Sequence, residues 1–270
     1  MGIAQIRWQL VSMATGLEVT HFTGSLSGQT GNQTIDVTSA GLTAVSDAFL
    51  LFHFGAGGTN FGADDQPTAR LSSATVATLE LPAGINWPTG AYHLQVVKLA
   101  GATVAHNVST TSMPGDLTLT GSPTAPPSNT GQLLLFSHRI NASNDARVMR
   151  LRGEVAGPST LTFTRNSGGT AVTASWERVS IATSLASVQG FSQIDINGPA
   201  SFAQVTIGSA PVPVDRVWSI VSGQGMGGQC GGQTSELEPT FSMAHLEYAG
   251  TGNVSLQLTR GASGGSKNSS

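Results

Sequence analysis

The sequence predicts an all-β chain made of three tandem small antiparallel β-sandwich units, and three observations lead there. Strongly β-forming runs alternate with Gly, Pro, Asn and Asp turn clusters, the profile of a sandwich rather than of a helical protein. Charged residues make up 10% of the 270 residues, while glycine alone contributes 34. Typical soluble domains carry about 25% charge. Strand-like segments also recur at a nearly constant interval, and an internal period constrains a fold more than local propensity does.

The first recurring segment is Ile6-Arg7-Trp8-Gln9-Leu10-Val11. It returns as Tyr92-His93-Leu94-Gln95-Val96-Val97, as Ala174-Ser175-Trp176-Glu177-Arg178-Val179 and as Val254-Ser255-Leu256-Gln257-Leu258-Thr259. Trp8, Leu94, Trp176 and Leu256 stand 86, 82 and 80 residues apart (8 to 94, 94 to 176, 176 to 256), each followed by Gln or Glu. The second is a continuous apolar run: Phe49–Phe52, Leu133–Phe136 and Val217–Val221, the last interrupted by Ser219. Both of its intervals are 84 residues (49 to 133, 133 to 217). Such a run suits a central strand buried on both faces.

Other pieces fall into the same frame. An alternating strand precedes each run, at Thr34–Val37, Leu117–Thr120 and Ala203–Ile207. A loop of variable length follows, closing on Ala69-Arg70-Leu71 in the first unit and on Ala146-Arg147-Val148 in the second. Then comes a hydrophobic strand, Ala77–Leu81 or Thr160–Thr164. Five or six short strands per unit, separated by turn signals, make a small antiparallel sandwich.

The units divide at 1–100, 101–182 and 183–260, leaving a Gly/Ser tail, expected to be flexible, at 261–270. The joints fall near 100–104 and 182–187. The Pro-rich stretch 122–129 looks like a linker but is in register with 39–44 and 209–213, so it is a loop inside a unit. One copy of the marker strand, Ile6–Met13, is surplus. Either it serves the first unit, or it completes a neighbouring chain's sheet by strand exchange.

This pattern resembles tandem β-sandwich proteins of bacteriophage virions and is similar to the H-type lectin fold. Phe49–Phe52, Ala69-Arg70-Leu71 and Leu94–Val97 carry the resemblance in the first unit; Leu133–Phe136, Ala146-Arg147-Val148 and Trp176–Val179 carry it in the second. The third departs from it, with Ser242-Met243-Ala244 where Ala-Arg-hydrophobic is expected. The resemblance implies a structural component of a virion exterior: a capsid decoration, head fibre or tail-fibre segment. Its partners would be other virion proteins and copies of the chain itself. The alternative is a lectin-like receptor-recognition protein that binds a host-surface glycan.

Composition narrows the function classes. A net charge of −3 with no basic stripe argues against a nucleic-acid partner. No apolar run approaches the ~18 residues of a membrane helix, and the N-terminal residues carry no signal segment. Met1-Gly2 lacks the Ser or Thr that myristoylation expects at the sixth position, where Ile6 stands. The single cysteine, Cys230, rules out an intrachain disulfide. The expected location is the virion, assembled in a host cytoplasm.

The residues carry no enzymatic signature, so a non-enzyme without cofactor or metal is expected. Gly261-Ala262-Ser263-Gly264-Gly265 matches G-x-S-x-G literally but lies in the tail, without strand-to-helix context. The six histidines, His21, His53, His93, His106, His138 and His245, stand singly. They read as structural groups at strand ends, or as a histidine-lined site on an oligomer axis. Asp64-Asp65 and Asn141–Asp145 offer loop oxygens without calcium-loop spacing, so turn chemistry is the plain reading. The loops after the apolar runs differ most in length, which is where binding differences reside on a constant scaffold. Asp64, Asp65, Arg70, Asn144, Asp145, Arg147, Gln229 and Cys230 are therefore the candidate ligand or subunit-contact residues. Cys230 has no basic neighbour to activate it as a nucleophile.

Overall fold

A computed structural model describes residues 10–13, 15–56, 66–111, 116–120, 130–140, 151–157, 159–164, 171–184, 202–207, 242–248 and 254–260. The first six strands are β1 (Leu17–Ser25), β2 (Gln33–Asp36), β3 (Ala48–Ala56), β4 (Thr68–Ser73), β5 (Val76–Glu80) and β6 (Gly90–Leu99). The next six are β7 (Ala102–Thr111), β8 (Asp116–Thr120), β9 (Thr130–Ile140), β10 (Arg152–Gly157), β11 (Thr160–Thr164) and β12 (Val172–Ala182). Then come β13 (Phe202–Ile207), β14 (Ser242–Tyr248) and β15 (Val254–Arg260). The chain is all-β, in several small antiparallel sheets, with short 3-10 turns at Thr38–Ala40 and Val45–Asp47.

The first six strands form two three-stranded sheets, β1-β6-β3 and β2-β5-β4. The next six take the same order, β7-β12-β9 and β8-β11-β10. The two sequence markers meet on one rung in each: Phe52 opposes Leu94, and Phe136 opposes Trp176. Bulges also coincide, between Leu71 and Ser73 on β4 and between Val155 and Gly157 on β10. A bulge re-aims the strand and fixes register.

Each sheet pair shares a core because period-two alternation sends one set of side chains inward. The first core gathers Leu50, Leu71, Leu79, Leu94, Val96 and Trp87. The second gathers Leu134, Ile140, Leu161, Phe163, Val172 and Trp176. Full burial of such a side chain contributes about 1.5–3 kcal/mol relative to exposure. A third cluster lies between the two pairs and is built by the opposite parity of the same strands: Phe49 and Val97 from one, Val104, Leu135, Val179 and Ile181 from the other. As the central strand between these clusters, β12 is buried along almost its whole length. Between β6 and β7 only Ala100 and Gly101 intervene, Gly101 adopting φ +80°. That left-handed conformation favours glycine.

Several expectations are corrected here. The place beside β6 is filled by Leu17–Ser25, while Leu10–Met13 lie outside any strand and are exposed. The rest of the surplus marker, residues 6–9, is outside the described residues. In the second pair the strand that occupies β4's place is Arg152–Gly157, so the bulge aligns Gly153-Glu154-Val155 with Ala69-Arg70-Leu71. Ala146–Val148, expected there, precede that strand and lie outside the described residues. The run Phe49–Phe52 is not buried throughout: Phe49 and Leu50 are, but Leu51 is 38% exposed, because the outer face of its sheet is covered at one end only. Finally, β13 pairs directly with β15. It cannot be the counterpart of β2 while β15 is the counterpart of β6, since β2 and β6 belong to different sheets. Val217–Val221 lie outside the described residues.

Candidate functional site at the joint between two sheet pairs

The most chemically developed place among the described residues is where the first sheet pair meets the β7-β12-β9 sheet. Strands β3 and β4 are both outer strands, so each carries backbone groups that its own sheet leaves unpaired. Such edges invite pairing with any other strand. Here side chains of the second pair occupy them. The Leu50 N–H donates to Glu177 Oε2 at 2.7 Å. The Ala69 N–H donates to Ser137 Oγ at 2.9 Å, and the Ala69 carbonyl accepts from Ser175 Oγ at 2.9 Å. Ser137 and Ser175 oppose each other on β9 and β12, which places both hydroxyls over one residue, Ala69.

Glu177 and His106 are cross-strand partners on β12 and β7. His106 Nε2 lies 2.7 Å from the Val45 carbonyl, a group that can only accept, so Nε2 carries a proton. His106 Nδ1 then faces Glu177 Oε1 at 3.2 Å. This contact is close enough for Coulomb attraction but is not aligned as a hydrogen bond. A lone pair set against a carboxylate is repulsive, so the dyad holds at least one proton between its two groups. The titration follows. Burial pushes the Glu177 carboxyl above the usual carboxylate range, and His106 and the Leu50 N–H pull it back only in part. For His106 burial acts downward, yet Glu177 and the Val45 and Ala48 carbonyls outweigh it, leaving the imidazole above its ordinary value.

A second ionic group ties the same two bodies. Glu80 Oε1 accepts from Arg70 Nε and Nη2, both at 3.1 Å, and Glu80 Oε2 accepts from Arg139 Nη1 at 2.6 Å. Arg70 and Glu80 belong to the first pair, whereas Arg139 comes from β9. The Arg70–Glu80 bridge, with Arg70 36% exposed, lies within the first pair and is worth no more than about 1 kcal/mol; the less exposed Arg139–Glu80 contact is the one that crosses the joint. The apolar cluster of Phe49, Val97, Leu135 and Val179 buries the joint, and the polar groups fix its register. A cleft of about 190 Å³ opens at the joint, walled by Leu51, Phe52, Leu135 and Phe136 with Ser137, Ser175 and Glu177 as its polar groups.

Of the candidate residues named from sequence, the structure describes only Arg70, and it engages that guanidinium with Glu80. Asp64, Asp65, Asn144, Asp145, Arg147, Gln229 and Cys230 lie outside the described residues. His53 opposes His93 across two strands with ring centroids 6.5 Å apart, and His138 lies against Phe136. Among the described residues no group of three or more His, Cys, Asp or Glu could hold a metal ion, and no helix is long and apolar enough to cross a membrane. Sequence reasoning missed Glu177, His106, Glu80 and Arg139. One signal was there: Glu177 is a carboxylate where the other three marker strands carry Gln. Comparison with known proteins finds no matching family model, no matching curated protein and no matching solved structure.

Proposed function

We propose that the chain is a non-enzymatic structural component of a bacteriophage virion exterior, built from tandem β-sandwich units. The observation that carries this reading is the joint. Two sheet pairs of identical strand order are linked by a two-residue turn and locked face to edge, with Glu177, Ser137 and Ser175 bonded to backbone edges. Such a chain holds fixed distances between its units. Glu177, His106, Glu80 and Arg139 are spent on that purpose. The low charge and the abundant glycine suit a protein that packs against neighbours at close range. The test is mass spectrometry of separated heads and tails, with immunolabelled electron microscopy of whole particles. Recovery of the chain with one fraction is the expected result; its absence from both would overturn the proposal.

A further inference from the structure

We propose that the outer half-face of the β1-β6-β3 sheet, bearing Val19, His21, Leu51, His53, His93 and Gln95, docks a strand edge of a second copy of this chain. The inference rests on rung-by-rung correspondence with the β7-β12-β9 sheet and does not depend on a virion location. In the first sheet one rung runs His21, Gln95, Leu51, and the next Thr23, His93, His53. In the second sheet the matching rungs run His106, Glu177, Leu135, then Val108, Ser175, Ser137. The alignment is fixed by Phe52 opposite Leu94 and Phe136 opposite Trp176, one rung over.

In the second sheet these rungs form a socket. Glu177, Ser175 and Leu135 are 4%, 3% and 7% exposed, covered by the β3 and β4 edges that they bond. In the first sheet the same positions stand open: Leu51 and Val19 are 38% and 39% exposed, and His21, His53 and His93 are exposed as well. Their chemistry is related to that of the filled socket: Leu51 stands where Leu135 does, Gln95 where Glu177 does, and His93 and His53 where Ser175 and Ser137 do, apolar contact beside polar groups that can meet backbone N–H and C=O groups. Gln95 already reaches His21 Nδ1 at 3.4 Å, where Glu177 reaches His106 in the filled case.

Three features select a second copy as the occupant. The guest in the filled socket is an edge of this same kind of sheet, and every copy carries further outer strands. None of the six residues is Lys, Arg, Asp or Glu, so a strand edge can dock on the half-face without desolvating a Lys, Arg, Asp or Glu side chain of that face. The half-face is also continuous with an existing interface, because Leu51 lines the cleft shared with Leu135 and Glu177. Face against edge is a heterologous contact, so the assembly is head to tail and closes as a ring or grows as a filament.

Sedimentation velocity of the full chain over a wide concentration range tests this, with Leu51→Arg and Val19→Arg compared by circular dichroism and thermal midpoint. Wild type should pass from monomer to larger species as concentration rises. Each variant should keep its fold and shift that transition by about tenfold or more in concentration. If Leu51→Arg fails to fold, Val19→Arg decides. A wild type that stays monomeric throughout, or a folded variant that assembles like wild type, overturns the proposal.

Discussion

Glu177 shows how one side chain joins local pairing to pH dependence. Both members of the dyad have raised folded-state values, so the folded joint binds protons more tightly than the unfolded chain does. The histidine's contribution is complete below about pH 6.5 and is lost as pH rises through its folded value. The carboxyl acts with the same sign, because the folded state must release on alkalinisation a proton that it holds more tightly than the unfolded chain. Stability should therefore fall as pH rises, first above about pH 4.5, where an ordinary carboxyl titrates, and further above about pH 6.5, where an ordinary imidazole does, as thermal midpoints at several pH values would show. Glu177→Gln can still accept from the Leu50 N–H and can donate to His106 Nδ1, so it should flatten that slope while keeping the fold. Glu177→Ala leaves the buried Leu50 N–H without its acceptor and His106 Nδ1 without its facing carboxyl, and should cost about 3 kcal/mol at neutral pH, measured by urea unfolding. Asp36 and Asp47 act oppositely: held low by hydrogen bonds from Thr38 and Thr43, they lose their contribution only as pH drops below the ordinary carboxylate range.

At the scale of strands, most elements were legible and a few were not. Two of the three apolar runs, the alternating strands and three of the marker strands became β3, β9, β2, β8, β13, β6, β12 and β15, because periodicity and turn residues specify them locally. β1 escaped notice because Leu17-Glu18-Val19-Thr20-His21-Phe22-Thr23-Gly24-Ser25 mixes polar residues into both parities, and the marker-like residues before it drew the assignment. The match of Ala146-Arg147-Val148 to β4 failed because a tripeptide beyond a loop of variable length has no register of its own; the bulge supplies it. Gly153 is a case only structure reveals. A Cβ there would stand 2.6 Å from the Phe136 ring, which packs edge-on against Phe163 at 5.2 Å. Gly153→Ala should therefore destabilise by about 1–3 kcal/mol, despite alanine's better fit to most strands, as chemical denaturation would show.

For the whole molecule, the joint could not be read from sequence, because it depends on which face of one sheet meets which edge of another. Glu80 and Arg139 are 59 residues apart, and Leu50 and Glu177 are 127 apart. Neither pair leaves a local trace. The Leu50 and Ala69 amides are bonded only across the joint, so their hydrogen exchange reports its opening. Combining Leu135→Ala with Arg139→Ala should speed exchange at these two amides by about tenfold or more, while the interiors of β5 and β11 stay protected. Equal acceleration in those interiors would mean that the two pairs unfold together rather than part.

The position of β6 and β12 in the chain bears on how the protein is made. Each is the middle strand of its sheet and the last of its six to leave the ribosome. Until then β1 and β3, or β7 and β9, have no neighbour in that sheet, since they bond only to the strand still to come. A nascent chain therefore holds two separated strands in waiting, and the final strand closes both ladders at once. Translational pauses just before Gly90 and Val172 would prolong the stage at which a holding chaperone has most to protect.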